Sequence, residues 1–479
     1  MASTLLIAIE YAARVREFSP SARLFLAAAT LGGIGAGVSA VLLNLYIVAL
    51  GYTEGDLLRI LSFGPLGAAA GAILSGPLID LWGTKRSMLA GTALSGAGAL
   101  ALLLSPTAGV LRLGLALSSL GAAIVYVAYA PFLSRHSSAR ERAYLFGMTA
   151  AAYVVSTAAG RLIGGVLPEL IGAITPSITL AARYRDALFA GVLLSGLGLP
   201  LLAAAGEARL SALSPPLPRP LSHKGRGEKD RAQPESVLPA RGYAPFPPTV
   251  GERAGDRGGP APAGALSRLL AWVRGRLARP DLVRLMMQFV VFDGLIRLGA
   301  NLVVPLFNVY FVRHLGASEA QYGVLASAER ATVVAATLLA APLAMRLGPV
   351  LTVMITQLLS VPMLLALGFA PSLAIAAGAL LARGALMEMT VPTRDQFLME
   401  MFPEDARATA NATLLMAGYG ISFVAHRMSS RLLDAGQLHT AFVLTGSLYV
   451  ASALLYWLFF HLRPQAAPGR QLALAALAG

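Results

Sequence analysis

The chain contains no cysteine among its 479 residues. Disulfide scaffolds, thiol nucleophiles and zinc–thiolate sites are therefore excluded, although the absence says nothing of the redox compartment. Charge is the second shortage: Asp, Glu, Lys and Arg make up 13% of the chain, against 56% apolar residues. A soluble domain carries about 25% charged residues, so this chain has too little polar surface to coat a globule in water. Acids are scarcer than bases, 24 against 38, which gives a formal net charge of +14. Most of the basic residues lie in loops between apolar blocks. That distribution suits cytoplasmic loops facing anionic lipid, not a nucleic-acid-binding face. No GxxxxGK(S/T) loop is present, which argues against a nucleotide-driven pump. The acids and the six histidines form no metal-ligand cluster and no His–acid dyad suited to hydrolysis. No metal, no cofactor and no enzymatic activity are expected.

What fills the sequence instead is a series of apolar blocks, each long enough to cross a hydrocarbon core of about 30 Å. They run at about 22–50, 56–80, 86–104, 109–133, 144–168 and 185–205. A second set lies at about 284–312, 320–345, 350–370, 372–392, 408–432 and 439–462. The expected fold is an all-α integral membrane protein of twelve transmembrane helices, in two six-helix bundles at 22–205 and 284–462. Residues 1–21 read as an uncleaved amphipathic tail, because Glu10, Arg14, Arg16 and Glu17 follow the first apolar run instead of preceding it. Residues 206–283 form a central loop. Up to about residue 265 it is rich in Pro, Gly and Arg, with too few apolar residues to offset its ordering entropy, so it is expected to be largely disordered. A regulatory or partner-binding tether is the alternative. The loop ends in a stretch that sets Leu269, Leu270, Val273 and Leu277 against Arg268, Arg274, Arg276 and Arg279, with Trp272 among them. This is the pattern of an interfacial helix. Residues 463–479 form the second tail. Lys85, Arg86, Arg135, Arg140, Arg142, Arg346, Arg394 and Arg407 fall on one side with both termini. Both termini are therefore expected in the cytoplasm of a protein that spans the cell membrane many times.

The two halves echo each other. NLYIVALGYTEGDLLRILS runs into GPLIDLWG in the first, and NVYFVRHLGASEAQYGVLAS runs into APLAMRLG in the second. Asn44 matches Asn308, Tyr46 matches Tyr310, Gly51 matches Gly316, Pro77 matches Pro342 and Gly83 matches Gly348. A second echo aligns Arg142 with Arg407. Polar, Gly and Pro landmarks at a nearly constant offset are not a by-product of shared apolarity. Six spans per half make the repeats parallel, related by an axis along the membrane normal, with a site near the midplane between them.

The second span ends in GPLIDLWGTKRSML. Gly76, Asp80, Gly83, Lys85 and Arg86 resemble the cytoplasmic signature of the major facilitator superfamily. Leu81 and Thr84 depart from it, and the second-half copy has Met345 at the acidic position. The resemblance implies the fold of that superfamily and a gating role for the motif, a lock that holds one state and breaks as the halves rock. Independently of it, a tight turn between antiparallel helices favours Gly83. Lys85 and Arg86 sit at headgroup level. Asp80 can pair with them or with the N-terminus of the eleventh helix near Ala408. In the fifth span, STAAGRLIGGVL places Gly160, Gly164 and Gly165 at a spacing that permits close helix contact. The segment is similar to the fifth-helix motif of the superfamily's drug/proton antiporters, with Arg161 where that motif carries a proline.

Ionisable residues inside spans pair or line a cavity. Asp293 and Arg297 share one face of the seventh span, Glu329 and Arg330 lie at similar depth in the eighth, and Arg383 sits mid-span in the tenth, with Glu388 nearer the cytoplasm. One reading is a static ion-pair network. The other has Asp293 or Glu329 carry a coupling proton while Arg297 or Arg383 binds an anionic group or tunes the acid. Asn44, Tyr46, Asn308 and Tyr310 lie near the outer ends of the first helix of each half. There the tyrosines are expected at the lipid interface, with an outer gate as the alternative. The leading functional reading is a secondary active transporter working by alternating access. Its partners would be membrane lipid, a small-molecule substrate and protons as the coupling ion, with efflux of partly apolar compounds as its task. A proton-coupled importer of a sugar or organic anion is the second reading, and a non-transporting membrane sensor the third.

Overall fold

The computed structural model describes residues 18–137, 139–206 and 279–461. The first tail up to residue 17, most of the central loop with its expected interfacial helix, and the second tail lie outside the described residues. Among the described residues, twelve helical rods form two bundles of six. The first bundle holds α1 (Pro20–Ala49), α2 (Glu54–Trp82), α3 (Thr84–Leu104), α4 (Ala108–Arg135), α5 (Ala139–Ile174) and α6 (Leu180–Ala204). The second holds α7 (Pro280–His314), α8 (Glu319–Leu347), α9 (Pro349–Gly368), α10 (Leu373–Met401), α11 (Glu404–Asp434) and α12 (Leu438–Phe460). Odd-numbered helices run from the face where each bundle begins and ends, called here the terminal face, to the far face. Even-numbered helices return.

Eleven of the twelve are long and apolar enough to cross a membrane on composition alone. The remaining rod, α11, carries Glu404, Arg407, Arg427, Arg431 and Asp434, and its place is set by packing against α2 of the other bundle. Two boundaries differ from expectation. The segment before residue 144 is already helical, so α5 begins at Ala139. The tenth span does not stop at 392: a second segment, Val391–Met401, continues it. Pro392 lacks the N–H that would meet the Glu388 carbonyl, so the rod breaks at Met389–Thr390 and resumes.

The repeat is visible in the backbone. Gly83 and Gly348 each form a one-residue turn, with φ of 80° and 82°, joining α2 to α3 and α8 to α9. A side chain would be strained in that left-handed region. Thr53 with Asp56 and Ser318 with Gln321 build the same capping box at the starts of α2 and α8.

Lipid tails are as apolar as leucine, so helices in a membrane associate through close packing and hydrogen bonds. Small residues supply the close packing: a methyl placed on Gly67 would lie 2.0 Å from the Ala116 carbonyl oxygen, and one on Gly121 2.3 Å from that of Gly91. Large side chains such as Ile73, Leu338 and Leu458 point outward. The buried apolar residues fall into three clusters. One, in the far half, runs without interruption through both bundles, from Val41, Leu45 and Leu57 to Phe307, Phe311, Leu367 and Phe442. The other two lie toward the terminal face, around Phe25 and Phe132 in the first bundle and around Phe289 and Phe460 in the second. The bundles are fused at the far face and separately packed at the terminal one.

Gly67→Val should lower the apparent melting temperature in detergent, since overpacking costs about 1–3 kcal/mol. Gly96→Ala is the control, because nothing lies within 4 Å of its Cβ position. Equal melting temperatures for the two variants would refute the packing argument.

Candidate functional site

The far face is closed by polar contacts between the bundles. Asn44 on α1 and Asn308 on α7, matched in the repeat, meet directly: Asn44 Nδ2 donates to Asn308 Oδ1 at 3.2 Å and to the Pro305 carbonyl at 2.5 Å, while Asn308 Nδ2 donates to the Val41 carbonyl at 2.9 Å. The α7 backbone is irregular here, with a 3₁₀ turn at Val304–Leu306 and a π turn at Tyr310–His314. Pro305 accounts for the break, because it has no N–H to continue the ladder. Nearer the far surface Arg59 pairs with Asp434, His314 lies 2.8 Å from Glu54, and Tyr184 donates to Glu319. Tyr46 and Tyr310 are buried in the joined core, at 1% and 6% exposure, and Tyr310 donates to the Leu367 carbonyl at 3.0 Å. The interfacial expectation for both is corrected: their rings fill space between helices, because the far end of each first helix is covered by its neighbours.

At mid-depth α5 crosses α8 on small residues. Gly165 and Gly323 face each other so closely that a methyl on either would fall about 3 Å from the other's Cα, while Gly160 and Gly164 sit against Ile34, Gly37 and Val38 of α1. Arg161, between them, reaches into the second bundle. Its Nη1 donates to the Ala326 carbonyl at 2.9 Å and lies 3.5 Å from Glu329 Oε2. Ser327 returns a hydrogen bond to the Ala158 carbonyl at 2.9 Å. Glu329 is 8% exposed, stands 3.6 Å from Arg330 and has no hydrogen bond among the described residues. Arg330 is engaged elsewhere, bidentate to Glu388 at 2.6 and 3.1 Å.

A cavity of about 330 Å³ opens beside this junction between α7, α9, α10 and α12. Asp293, Arg297, Arg383, Glu388 and Arg394 line it, with Asn301, Gln357 and Tyr449. Asp293 accepts from Arg297 and, at 3.0 Å, from Arg394. The two segments of α10 thus place Glu388 and Arg394 on the same cavity from either side of the break. Arg383, 3% exposed, donates to the Tyr449 hydroxyl at 2.8 Å and lies over the Phe307 ring at 5.5 Å. Among the described residues it has no carboxylate partner. A larger apolar hollow on the outer surface between α9 and α12 is lined by residues such as Val361, Leu365 and Leu454, and holds no charged group.

The motif at the end of α2 is not seated across the bundles. Asp80 and Arg86 are exposed, Asp80 has no ion pair among the described residues, and Lys85 donates to the Ala203 carbonyl of its own bundle at 2.8 Å. Gly76 has open space at its Cβ position. The structure thus gathers Asp293, Arg297 and Arg383 around one cavity, joins Glu329 and Arg330 to Arg161, and leaves Asp80 apart from all of them. Arg394 belongs to the cavity and not to a loop, a correction that follows from the continuation of α10. Gln357 and Tyr449 were not singled out, although a glutamine in the middle of an apolar span was a usable signal. The far-face pairs of Arg59 and Glu54 could not be found, since their partners lie hundreds of residues away. Among the described residues no three His, Asp or Glu side chains converge to hold a metal ion.

The whole architecture aligns with solved transporters. A nucleoside transporter, NupG, superposes with a TM-score of 0.63 at 11% identity, over 92% of this chain and 100% of that one. A D-xylose–proton symporter gives 0.61 at 15% identity, over 91% and 95%. A bacterial homolog of the human lysosomal transporter Spinster, inward-facing and unoccupied, gives 0.62 at 13% identity, over 93% and 98%. The fold is that of the major facilitator transporters. Residues 294–476, essentially the second bundle, also match the sequence profile of the Major Facilitator Superfamily. No curated protein matches the chain in sequence.

Asp293→Asn should destabilise the protein, because Arg297 and Arg394 then share the cavity without their counter-charge. Breaking a buried pair from one side costs about 3–5 kcal/mol. The double change Asp293→Asn, Arg394→Gln should recover part of the lost melting temperature. A double variant no more stable than the single one would refute the assigned pairing.

Proposed function

We propose that the chain is a secondary active transporter of the major facilitator superfamily, which carries a small polar molecule across the cell membrane by alternating access, coupled to protons. The observation that carries this reading is the division of the core. Contact at the far face is continuous through both bundles, whereas the terminal halves have cores of their own. Two rigid bodies that meet at one end can rock about their mid-depth contact and open the other. The Lys and Arg bias of the loops puts the termini and the Asp80 motif in the cytoplasm, so the far face is the outer one. The motif then stands as the lock of the opposite state, in which the cytoplasmic ends close. A lining of three arginines, two carboxylates and neutral polar side chains supports a hydrophilic cargo over partly apolar compounds. The α5 glycines serve helix packing.

Glu329 is the proton carrier in this reading. With the outer face closed, Arg161 and Arg330 flank its carboxylate. When the outer face opens, α5 tilts against α8 and carries Arg161 away from Glu329. The carboxylate then faces only Arg330, already committed to Glu388, and closure returns Arg161 to it, so the counter-charge around Glu329 differs between the two states. One structurally similar protein, the D-xylose–proton symporter, is named for such coupling.

In proteoliposomes holding a pH-sensitive dye, substrate-driven proton movement should vanish in Glu329→Gln while substrate still shifts the melting temperature. Unimpaired proton movement in Glu329→Gln would sink the coupling scheme. The absence of native cysteine makes a second test clean: Arg59→Cys combined with Asp434→Cys should cross-link on oxidation, stop transport, and recover with reductant. Transport that continues through the cross-link would exclude this seal as a moving gate.

A further inference from the structure

We infer that the substrate is a small anion, with a carboxylate or phosphate group bound at Arg383 and a hydrogen-bond donor beside it that faces Gln357. The inference rests on the transporter reading above and names the cargo of the same cavity.

Three observations carry it. First, the charges do not balance. Arg161, Arg297, Arg330, Arg383 and Arg394 share the junction and cavity with Asp293, Glu329 and Glu388. Adding Asp395, an exposed partner of Arg394, still leaves the arginines in excess. Second, the excess is localised. Each carboxylate is taken: Asp293 by Arg297 and Arg394, Glu388 by Arg330, and Glu329 lies between Arg161 and Arg330. Of these five arginines, only Arg383 has no carboxylate at ion-pair distance among the described residues; it donates to the Tyr449 hydroxyl and lies over the Phe307 ring. A guanidinium stays charged in a protein, and a buried one without a counter-ion presents its free donors to an anion.

Third, the cavity holds an unused acceptor. Gln357 is 3% exposed and its Oε1 has no partner. The amide orientation is dictated by its neighbour: Ser452 donates its one proton to the Phe292 carbonyl at 2.9 Å, so it can only accept from Gln357 Nε2, at 3.5 Å. Oε1 is thus left as the unpaired acceptor of a residue that lines the cavity. An anion with an adjacent hydroxyl or amide, such as a hydroxycarboxylate, answers both demands, whereas a neutral sugar leaves Arg383 uncompensated and a lipophilic cation is repelled.

The test is thermal stability of the full chain in phosphatidylcholine nanodiscs with gluconate, lactate, glycerol 3-phosphate or glucose, for wild type, Arg383→Gln, Arg383→Lys and Gln357→Leu. At least one of the three anions should stabilise the wild type, and glucose should not. The affinity for that anion should weaken at least about tenfold in Arg383→Gln, as expected for loss of a charge-assisted bond. Arg383→Lys, which keeps the charge if the glutamine variant does not fold, should weaken it less. Gln357→Leu should also weaken the affinity for that anion. Equal stabilisation of wild type and both Arg383 variants would overturn the assignment, as would a wild type stabilised by glucose and by no anion. In that last case substrate-driven proton movement with glucose would leave the transporter reading standing, and its absence together with an inert far-face cross-link would remove both. Nanodiscs containing phosphatidylglycerol separate the remaining source: stabilisation by that lipid through Arg383, with no response to soluble anions, makes the site a lipid-headgroup site and overturns the substrate class.

Discussion

An arginine among lipid tails costs about 2.5–3.5 kcal/mol on insertion scales, and it stays charged, so it needs either a counter-ion or a wet cavity. The five arginines of the junction and cavity make this constraint the organising one. It explains why Asp293 is held by two guanidinia from different helices, and why Arg330 chelates Glu388 while standing 3.6 Å from its sequence neighbour Glu329. It also explains why the break in α10 is tolerated: Pro392 costs a backbone hydrogen bond, but the irregular turn lies beside a polar cavity that can hydrate what it exposes.

The same constraint ties chemistry to movement. Arg161 starts in the first bundle and finds its acceptors in the second, at the Ala326 carbonyl and near Glu329. It can reach them only because Gly165 and Gly323 bring the two backbones into contact. A residue with a side chain at either position would hold the bundles apart and leave Arg161 without its partner. The junction is thus a contact whose geometry depends on how the bundles are tilted, which is the property a coupling device needs.

The two copies of the repeat divide between two tasks. Matched positions keep matched geometry where the backbone demands it, at Gly83 and Gly348 and in the two capping boxes. Asn44 and Asn308 keep their identity because each completes the other across the axis. Where the halves diverge, the chemistry separates: Asp80 has Met345 as its counterpart, and the cavity-lining charges belong to the second bundle alone.

Sequence alone determined the membrane class, the helices and their repeat, and the turn glycines, because all of these follow from local apolarity, chain stiffness and the spacing of landmarks along one helix. The pairing of Asp293 with Arg297 was legible for the same reason, being four residues along one face. The tertiary structure decided everything that needs a partner from elsewhere in the chain. Hydropathy ended the tenth span before Arg394, and only packing carried that residue back to Asp293. It placed Tyr46 and Tyr310 at an interface, where the neighbouring helices bury them. It could not tell that Arg383 lacks a carboxylate while Arg330 has one. Long-range electrostatic pairing depends on which helix faces meet across the bundle, and a one-dimensional pattern records the faces but not the meeting.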